Sequence, residues 1–256
     1  KKEALYRLKL ESEVQNRTSE LQKVNQQLLN ASVTDQLTGL HNRRYLDDII
    51  DKEVADIDRE YYSDSGHATN VHHASPRLFF LMFDLDGFKP INDTYGHLAG
   101  DKVIADVSLL LKKACRKSDT LIRWGGDEFL MIGRTTNIEE VSVIAERLRK
   151  GIQESAFDIG LKQKLHLSCS IGFSFYPFSA EFPKSVNWEQ VQVIADKALY
   201  RSKELGRNCW VGILDTHNRP PVSFMSMLTQ DLNKVIALDL AKLVEYSGVQ
   251  TNSKED

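Results

Sequence analysis

Between two short apolar stretches, Leu121-Ile122 and Phe129 to Ile132, the chain carries Arg123-Trp124-Gly125-Gly126-Asp127-Glu128. Strand-forming residues on either side of paired glycines specify a β-hairpin with the glycines at its tip. Gly-Gly tolerates the positive φ of a tight turn and lets a backbone come close to a ligand. Two adjacent carboxylates directly after the turn are costly if buried unpaired and useful beside a hard cation. Taken alone, the run fits an ordinary solvated hairpin equally well, so its meaning depends on the rest of the chain.

Around the hairpin, strand and helix patterns alternate. A strand covers 78 to 84, helical patterns 90 to 92 and 101 to 113, and the hairpin strands 119 to 123 and 127 to 132. A helix follows over 138 to 154, a strand over 165 to 176, a helix over 188 to 205 and a strand over 209 to 214. The order β-α-α-β-β-α-β-α-β predicts an α/β (α+β) sandwich with a mixed, mostly antiparallel five-stranded sheet flanked by helices.

Residues 1 to 33 lack Gly and Pro and are rich in Leu, Glu, Gln and Lys, a helical composition. Val14, Leu21 and Leu28 fall seven apart, with Leu10, Val24 and Ala31 alternating and Arg7 and Arg17 interrupting. This seam predicts an N-terminal coiled-coil helix that pairs two copies of the chain. Capping residues and a glycine in Thr34-Asp35-Gln36-Leu37-Thr38-Gly39-Leu40 end it, and a further helix is expected over 43 to 60. The polar stretch 61 to 76, with His67, His72 and His73, reads as a loop insertion in a domain running from 34 to 214. The tail from 215 to 256 has a Pro-Pro break and one expected amphipathic helix, 224 to 246.

The chain of 256 residues has a net charge of only −3, which gives no basic field for direct nucleic-acid or anionic-membrane binding. A ligand with several phosphates therefore needs locally placed cations. Cys115, Cys169 and Cys209 are far apart and form no C-x-x-C pair, as expected of reduced, buried thiols. The longest apolar run, 78 to 83, is too short to span a bilayer. The opening in mid-helix pattern suggests a piece of a longer protein, and chains with such a stalk pattern resemble cytoplasmic domains that follow an upstream sensor domain and a membrane anchor.

The first strand ends Phe83-Asp84-Leu85-Asp86-Gly87-Phe88-Lys89, which puts carboxylates where a buried strand surfaces. An EF-hand is excluded, because Phe88 and Lys89 stand where a ligand and a glycine are needed. Asp84 paired with Asp127 across neighbouring strand ends would instead hold Mg²⁺, which accepts one or two carboxylates plus substrate phosphates. There is no G-x-x-x-x-G-K-[ST] run, so this is not a P-loop enzyme. Asn92 and Asp101 are equally suited to reading a guanine edge and to capping helices. Lys203 and Arg207 lie four apart at a helix end, where cations suit either phosphate oxygens or the helix dipole.

Four motifs occur in order: Asp35-Gln-Leu-Thr-Gly-Leu-His-Asn-Arg-Arg44, Phe83-Asp-Leu-Asp-Gly-Phe-Lys-Pro-Ile-Asn-Asp-Thr-Tyr-Gly-His97, Gly125-Gly-Asp-Glu-Phe129 and Ala198-Leu-Tyr-Arg-Ser-Lys-Glu-Leu-Gly-Arg-Asn208. Together they resemble the GGDEF family of bacterial diguanylate cyclases over roughly 33 to 214. The resemblance implies a palm-like nucleotidyl cyclase fold and condensation of two GTP into cyclic di-GMP, with release of two pyrophosphates. It makes Asp84, the carbonyl of Leu85 and Asp127 ligands for Mg²⁺, with Mn²⁺ as a substitute. Asp127 becomes the proton acceptor for the attacking 3′-hydroxyl, assisted by Glu128. Asn92 and Asp101 become guanine readers, and His97, Lys89, Lys203 and Arg207 substrate contacts. Arg116 and Asp119 resemble an R-x-x-D product-inhibition site, with Arg147 as its second arginine. Each domain would hold one GTP, so a homodimer through the N-terminal helix is implied. The rival expectation is a catalytically silent module that binds GTP or cyclic di-GMP as a receptor; the retained acids favour an active enzyme. A third, a cyclase that also takes ATP, is disfavoured because Asp101 would repel the N1 acceptor of adenine.

Overall fold

The computed structural model describes residues 13–15, 17, 18, 20, 33–62, 75–160 and 164–246. Those described between 13 and 20 are helical, while most of the expected coiled-coil seam and the histidines at 67, 72 and 73 lie outside the described residues. A two-residue strand β1 (His41–Asn42) leads into α1 (Arg43–Tyr62), β2 (Arg77–Asp86), α2 (Phe88–Tyr95) and α3 (His97–Ala114). The hairpin β3 (Thr120–Gly125) and β4 (Glu128–Thr135) follows, then α4 (Ile138–Gln153). A small separate hairpin, β5 (Phe157–Asp158) with β6 (Lys164–Leu165), precedes β7 (Ser168–Tyr176), α5 (Trp188–Glu204) and β8 (Trp210–Leu214). The chain closes with α6 (Phe224–Gln230), α7 (Leu232–Ala237) and β9 (Lys242–Tyr246).

The main sheet has the order β1-β3-β4-β2-β7-β8-β9. Only β1–β3 and β7–β8 are parallel, so it is mostly antiparallel, as expected. It has seven strands and not five. The five expected strands form its centre, and β1 and β9 extend its two edges.

The central strand β2 is apolar without a break because both of its faces are covered. Phe79, Leu81 and Phe83 pack with Val103, Val107, Ile144 and Leu148 of α3 and α4. Leu78, Phe80 and Met82 pack on the other side with Leu46 and Ile50 of α1 and Ile194 and Ala198 of α5. Period-2 side-chain alternation thus feeds two cores at once, and each fully buried aromatic or aliphatic side chain contributes about 2 kcal/mol.

The tail departs from the single helix expected over 224 to 246. Asp231 ends α6 and caps α7 by accepting from the backbone of Lys234 at 3.2 Å, and Asp239 takes a left-handed φ of 52°. These two breaks release Lys242–Tyr246 to pair antiparallel with β8. Phe224, Leu228, Val235 and Ala241 join the α1–α5 core, so the tail is packed onto the domain. The cysteines are free and largely buried, and burial pushes the thiols of Cys115 and Cys209 up to about 12 and about 11. No described helix is long and apolar enough to cross a membrane.

Candidate active site

The end of β2 lies between β4 and β7. Pairing sets Asp84 directly opposite Glu128 on one side and Ser170 on the other. The Leu85 N–H donates to the Asp127 carbonyl at 3.4 Å, so the two acids of the hairpin are placed beside the acid of the strand. Lys203, near the end of α5, sits 2.9 Å from Asp84 Oδ2. Burial pushes the Asp84 carboxyl up to about 6; Lys203 opposes that shift, and the charges of Asp127 and Glu128 add to it. Three carboxylates against one lysine leave negative charge for a cation to offset. Among the described residues no three or more Asp, Glu, His or Cys are grouped so as to hold a metal ion by themselves. Two carboxylates and a carbonyl fit Mg²⁺, which keeps its remaining positions for water and phosphate. Lys203, a phosphate contact by resemblance, here pairs with Asp84.

Asp86, two residues along the same strand, faces a different task. Its oxygens accept from Ser168 Oγ at 2.6 Å, Ser170 Oγ at 2.7 Å and the Asn208 N–H at 3.0 Å. It is a scaffold acid, which separates the Asp-x-Asp pair into one carboxylate paired with Lys203 and one saturated by the protein's own donors.

The hairpin turns as its glycines predict. The register slips between Arg123 and Gly125, and Gly126 takes φ +52°, where a side chain would be strained. Arg123 fixes this tip: Nε and Nη2 donate to the Gly126 carbonyl at 3.0 and 2.9 Å, and Nη1 donates to Asp35 Oδ1 and Oδ2 at 3.2 and 3.1 Å. Burial would raise the Asp35 carboxyl, but hydrogen bonds from Thr38 and the Arg123 charge outweigh it and hold the pKa low. Lys112 Nζ donates to the Thr38 and Gly39 carbonyls at 3.2 and 3.0 Å, closing the same junction. Sequence reading missed this clamp, although the Asp35-x-x-Thr38 spacing is itself a side-chain-to-backbone turn signal.

Asn92 and Asp101 lie inside α2 and α3, and glycines hold the cap positions instead: Gly87 before α2 and Gly96 before α3. The capping explanation is thereby removed for both. Neither helix start has a side-chain cap, so the first amides of α2, next to Lys89, stay open to an anion. His97 opens α3 and is exposed, as is Asp101, while Asn92 is half-buried. A Cβ at Gly100 would stand 2.0 Å from Asn92 Oδ1, so the Asn92 side chain occupies the space that glycine leaves. If Asn92 reads a guanine edge, as the resemblance implies, Gly100→Ala is expected to raise the KM for guanine nucleotide at least about tenfold by turning Asn92 away. Steady-state kinetics beside a thermal melt check this; an unchanged KM in a stable variant contradicts it.

Arg116, Asp119 and Arg147 gather around the turn from α3 to β3. The Arg116 N–H donates to Asp119 Oδ2 at 3.0 Å, and Arg147 Nη2 reaches the Ala114 carbonyl at 2.8 Å. Glu140, not anticipated, meets Arg116 Nη2 at 3.4 Å. Arg207 is exposed on the loop between α5 and β8.

A family model described as "Diguanylate cyclase, GGDEF domain" matches residues 32–209. Diguanylate cyclase A of Treponema denticola is 38% identical over 184 residues, 72% of this chain and 45% of that protein. Response regulator PleD of Caulobacter vibrioides is 35% identical over 185 residues, 72% of this chain and 37% of that protein. The chain thus spans less than half the length of either relative. Among solved structures, the coiled coil and GGDEF domain of DgcB from Caulobacter crescentus, in complex with c-di-GMP, aligns with a TM-score of 0.63 at 26% identity. That alignment covers 78% of this chain and 96% of that one.

Proposed function

Because the chain belongs to the GGDEF, or diguanylate cyclase, family, we propose that it condenses two GTP into cyclic di-GMP and two pyrophosphates, as a homodimer that holds one GTP in each domain. The observation that supports this most is the meeting of Asp84 with Asp127 and Glu128 at adjoining strand ends, under a lysine and beside an open helix start. Asp84, the Leu85 carbonyl and Asp127 would hold Mg²⁺ or Mn²⁺, which supplies charge neutralisation at the α-phosphate. Asp101 accepts from the guanine N1–H and N2–H donors, and Asn92 completes the edge. Lys203, Arg207 and Lys89, with the first amides of α2, hold the phosphates, and His97 stands on the substrate side. The 3′-oxygen of one GTP attacks the α-phosphorus of the other, the bond to the β-phosphate oxygen breaks, and the hydroxyl proton passes to Asp127, with Glu128 assisting. A second, reciprocal transfer closes the ring. One domain cannot do this, because nucleophile and electrophile are carried by different domains; the N-terminal helix would bring the two together. GTP supply puts the domain in the cytoplasm. Pyrophosphate release from GTP in the presence of Mg²⁺ tests the reading, and binding of GTP without release would favour the silent receptor module.

The raised Asp84 pKa gives a pH dependence with a definite sign. A cation needs the carboxylate, so below about 6 it must displace a proton as well as Lys203. Apparent Mg²⁺ affinity is expected to fall up to about tenfold per pH unit below that point and to level off above it. A calorimetric titration that is flat across the same range contradicts this.

Arg116, Asp119 and Arg147 would bind the product as an inhibitor, since guanidinium forks suit guanine and phosphate acceptors. The ion pair of Arg116 with Glu140 is exposed and worth little, so a ligand displaces it at small cost. Arg116→Ala is expected to raise the inhibition constant for cyclic di-GMP about tenfold or more while leaving initial turnover intact. An unchanged inhibition constant contradicts the assignment.

A further inference from the structure

The loop from α5 to β8 carries Arg207 in a backbone that its residue types disfavour. Arg207 and Asn208 take φ of 66° and 49°, left-handed values that asparagine tolerates and that a long side chain such as arginine adopts only when the surroundings hold it there. Among the described residues no hydrogen bond or ion pair holds the Arg207 guanidinium, so the backbone alone fixes where this side chain leaves the loop.

Two anchors hold the loop. From β2, Asp86 accepts the Asn208 N–H at 3.0 Å while its oxygens also take the hydroxyls of Ser168 and Ser170. From α4, Arg149, only 3% exposed, donates to Asn208 Oδ1 at 2.7 Å. Arg149 is itself oriented by two bonds of 2.9 Å to Glu146 and one of 2.6 Å to Gln153 Oε1. Its guanidinium lies 5.2 Å from the centre of the Tyr246 ring, within cation–π range. Tyr246 is the last residue of β9 and stacks on Trp210 at 6.2 Å, and the Trp210 indole N–H donates to Glu146 at 3.2 Å. A buried guanidinium is stable only when its partners are complete. The final partner here comes from a strand that lies beyond the family-model match, which ends at residue 209.

We propose that the segment after β8 is a positioning element for nucleoside-triphosphate binding: through Tyr246, Arg149 and Asn208, and against Asp86, it aims Arg207 at the phosphates. This rests on reading Arg207 as a phosphate contact. Asp86, Arg149, Asn208 and Tyr246 touch no substrate and act through the loop. The tail, which pattern alone read as one amphipathic helix, is then part of the substrate site.

The test uses the whole chain with Mg²⁺ and two probes, measured by calorimetry: 3′-deoxy-GTP, which cannot attack, and guanosine, which has no phosphates. Asn208→Gly keeps the left-handed backbone accessible and removes only the acceptor for Arg149. It is expected to weaken 3′-deoxy-GTP about tenfold and leave guanosine unchanged. Tyr246→Ala, on an edge strand, is expected to weaken 3′-deoxy-GTP about threefold, and Tyr246→Phe to restore wild-type affinity. Unchanged 3′-deoxy-GTP affinity in both variants, or a parallel loss for guanosine, overturns the proposal. A wild-type chain that binds 3′-deoxy-GTP no better than guanosine overturns the phosphate reading of Arg207, and the proposal with it.

Discussion

Asp127→Asn is expected to lower turnover of GTP by about 10³-fold or more while the protein stays folded. Asp127 is asked to do two things, to hold the cation and to accept the proton of the 3′-hydroxyl, and an amide does neither at neutral pH. The fold does not depend on its carboxylate. The contact that ties Asp127 to β2 is its backbone carbonyl, accepting from the Leu85 N–H. The side chain contributes charge that crowds Asp84. Its neutral replacement relieves that crowding, so the melting temperature is expected to stay level or rise. Pyrophosphate release measured beside a thermal melt separates the two effects. Retained turnover, or a variant that no longer folds, contradicts the assignment of Asp127.

Asp101→Asn is expected to lower kcat/KM for GTP about 10²-fold and to erase the preference for GTP over inosine triphosphate. Inosine lacks the exocyclic amine, so against the wild-type carboxylate it loses one charge-assisted hydrogen bond, a difference of about tenfold or more. The variant presents an amide that matches either base equally. Asp101 is exposed on α3 and caps nothing, so a loss of stability cannot account for the change. Unaltered discrimination between the two nucleotides removes Asp101 from the guanine site.

What the sequence made legible was local. The unbroken apolar run of β2 and the Gly-Gly between strand patterns are signals within a dozen residues, and both elements stand where expected. β1 is two residues long and β9 is Lys-Leu-Val-Glu-Tyr, too short for alternation to outvote the helical periodicity running into it. The sheet therefore has two more strands than its patterns announced. Site residues divided the same way. Asp84 and Asp127 were readable from strand ends, whereas the Arg123–Asp35 clamp joins positions 88 residues apart and leaves no periodic trace. Asn92 and Asp101 fitted helix caps as well as a guanine edge, and only Gly87 and Gly96 at the helix starts remove the capping role. Asp86 shares the strand end with Asp84 in the sequence, and only the hydroxyls of Ser168 and Ser170, supplied by β7, show that its oxygens are taken.

Two hairpin tips facing each other across a dimer make the central claim, and product identity tests it most directly. A sample shown to be dimeric by light scattering is incubated with GTP and Mg²⁺, and its products are separated by chromatography. The account predicts cyclic di-GMP with two pyrophosphates released per molecule formed. GTP left intact by a dimeric sample, or a linear dinucleotide as the end product, would contradict it.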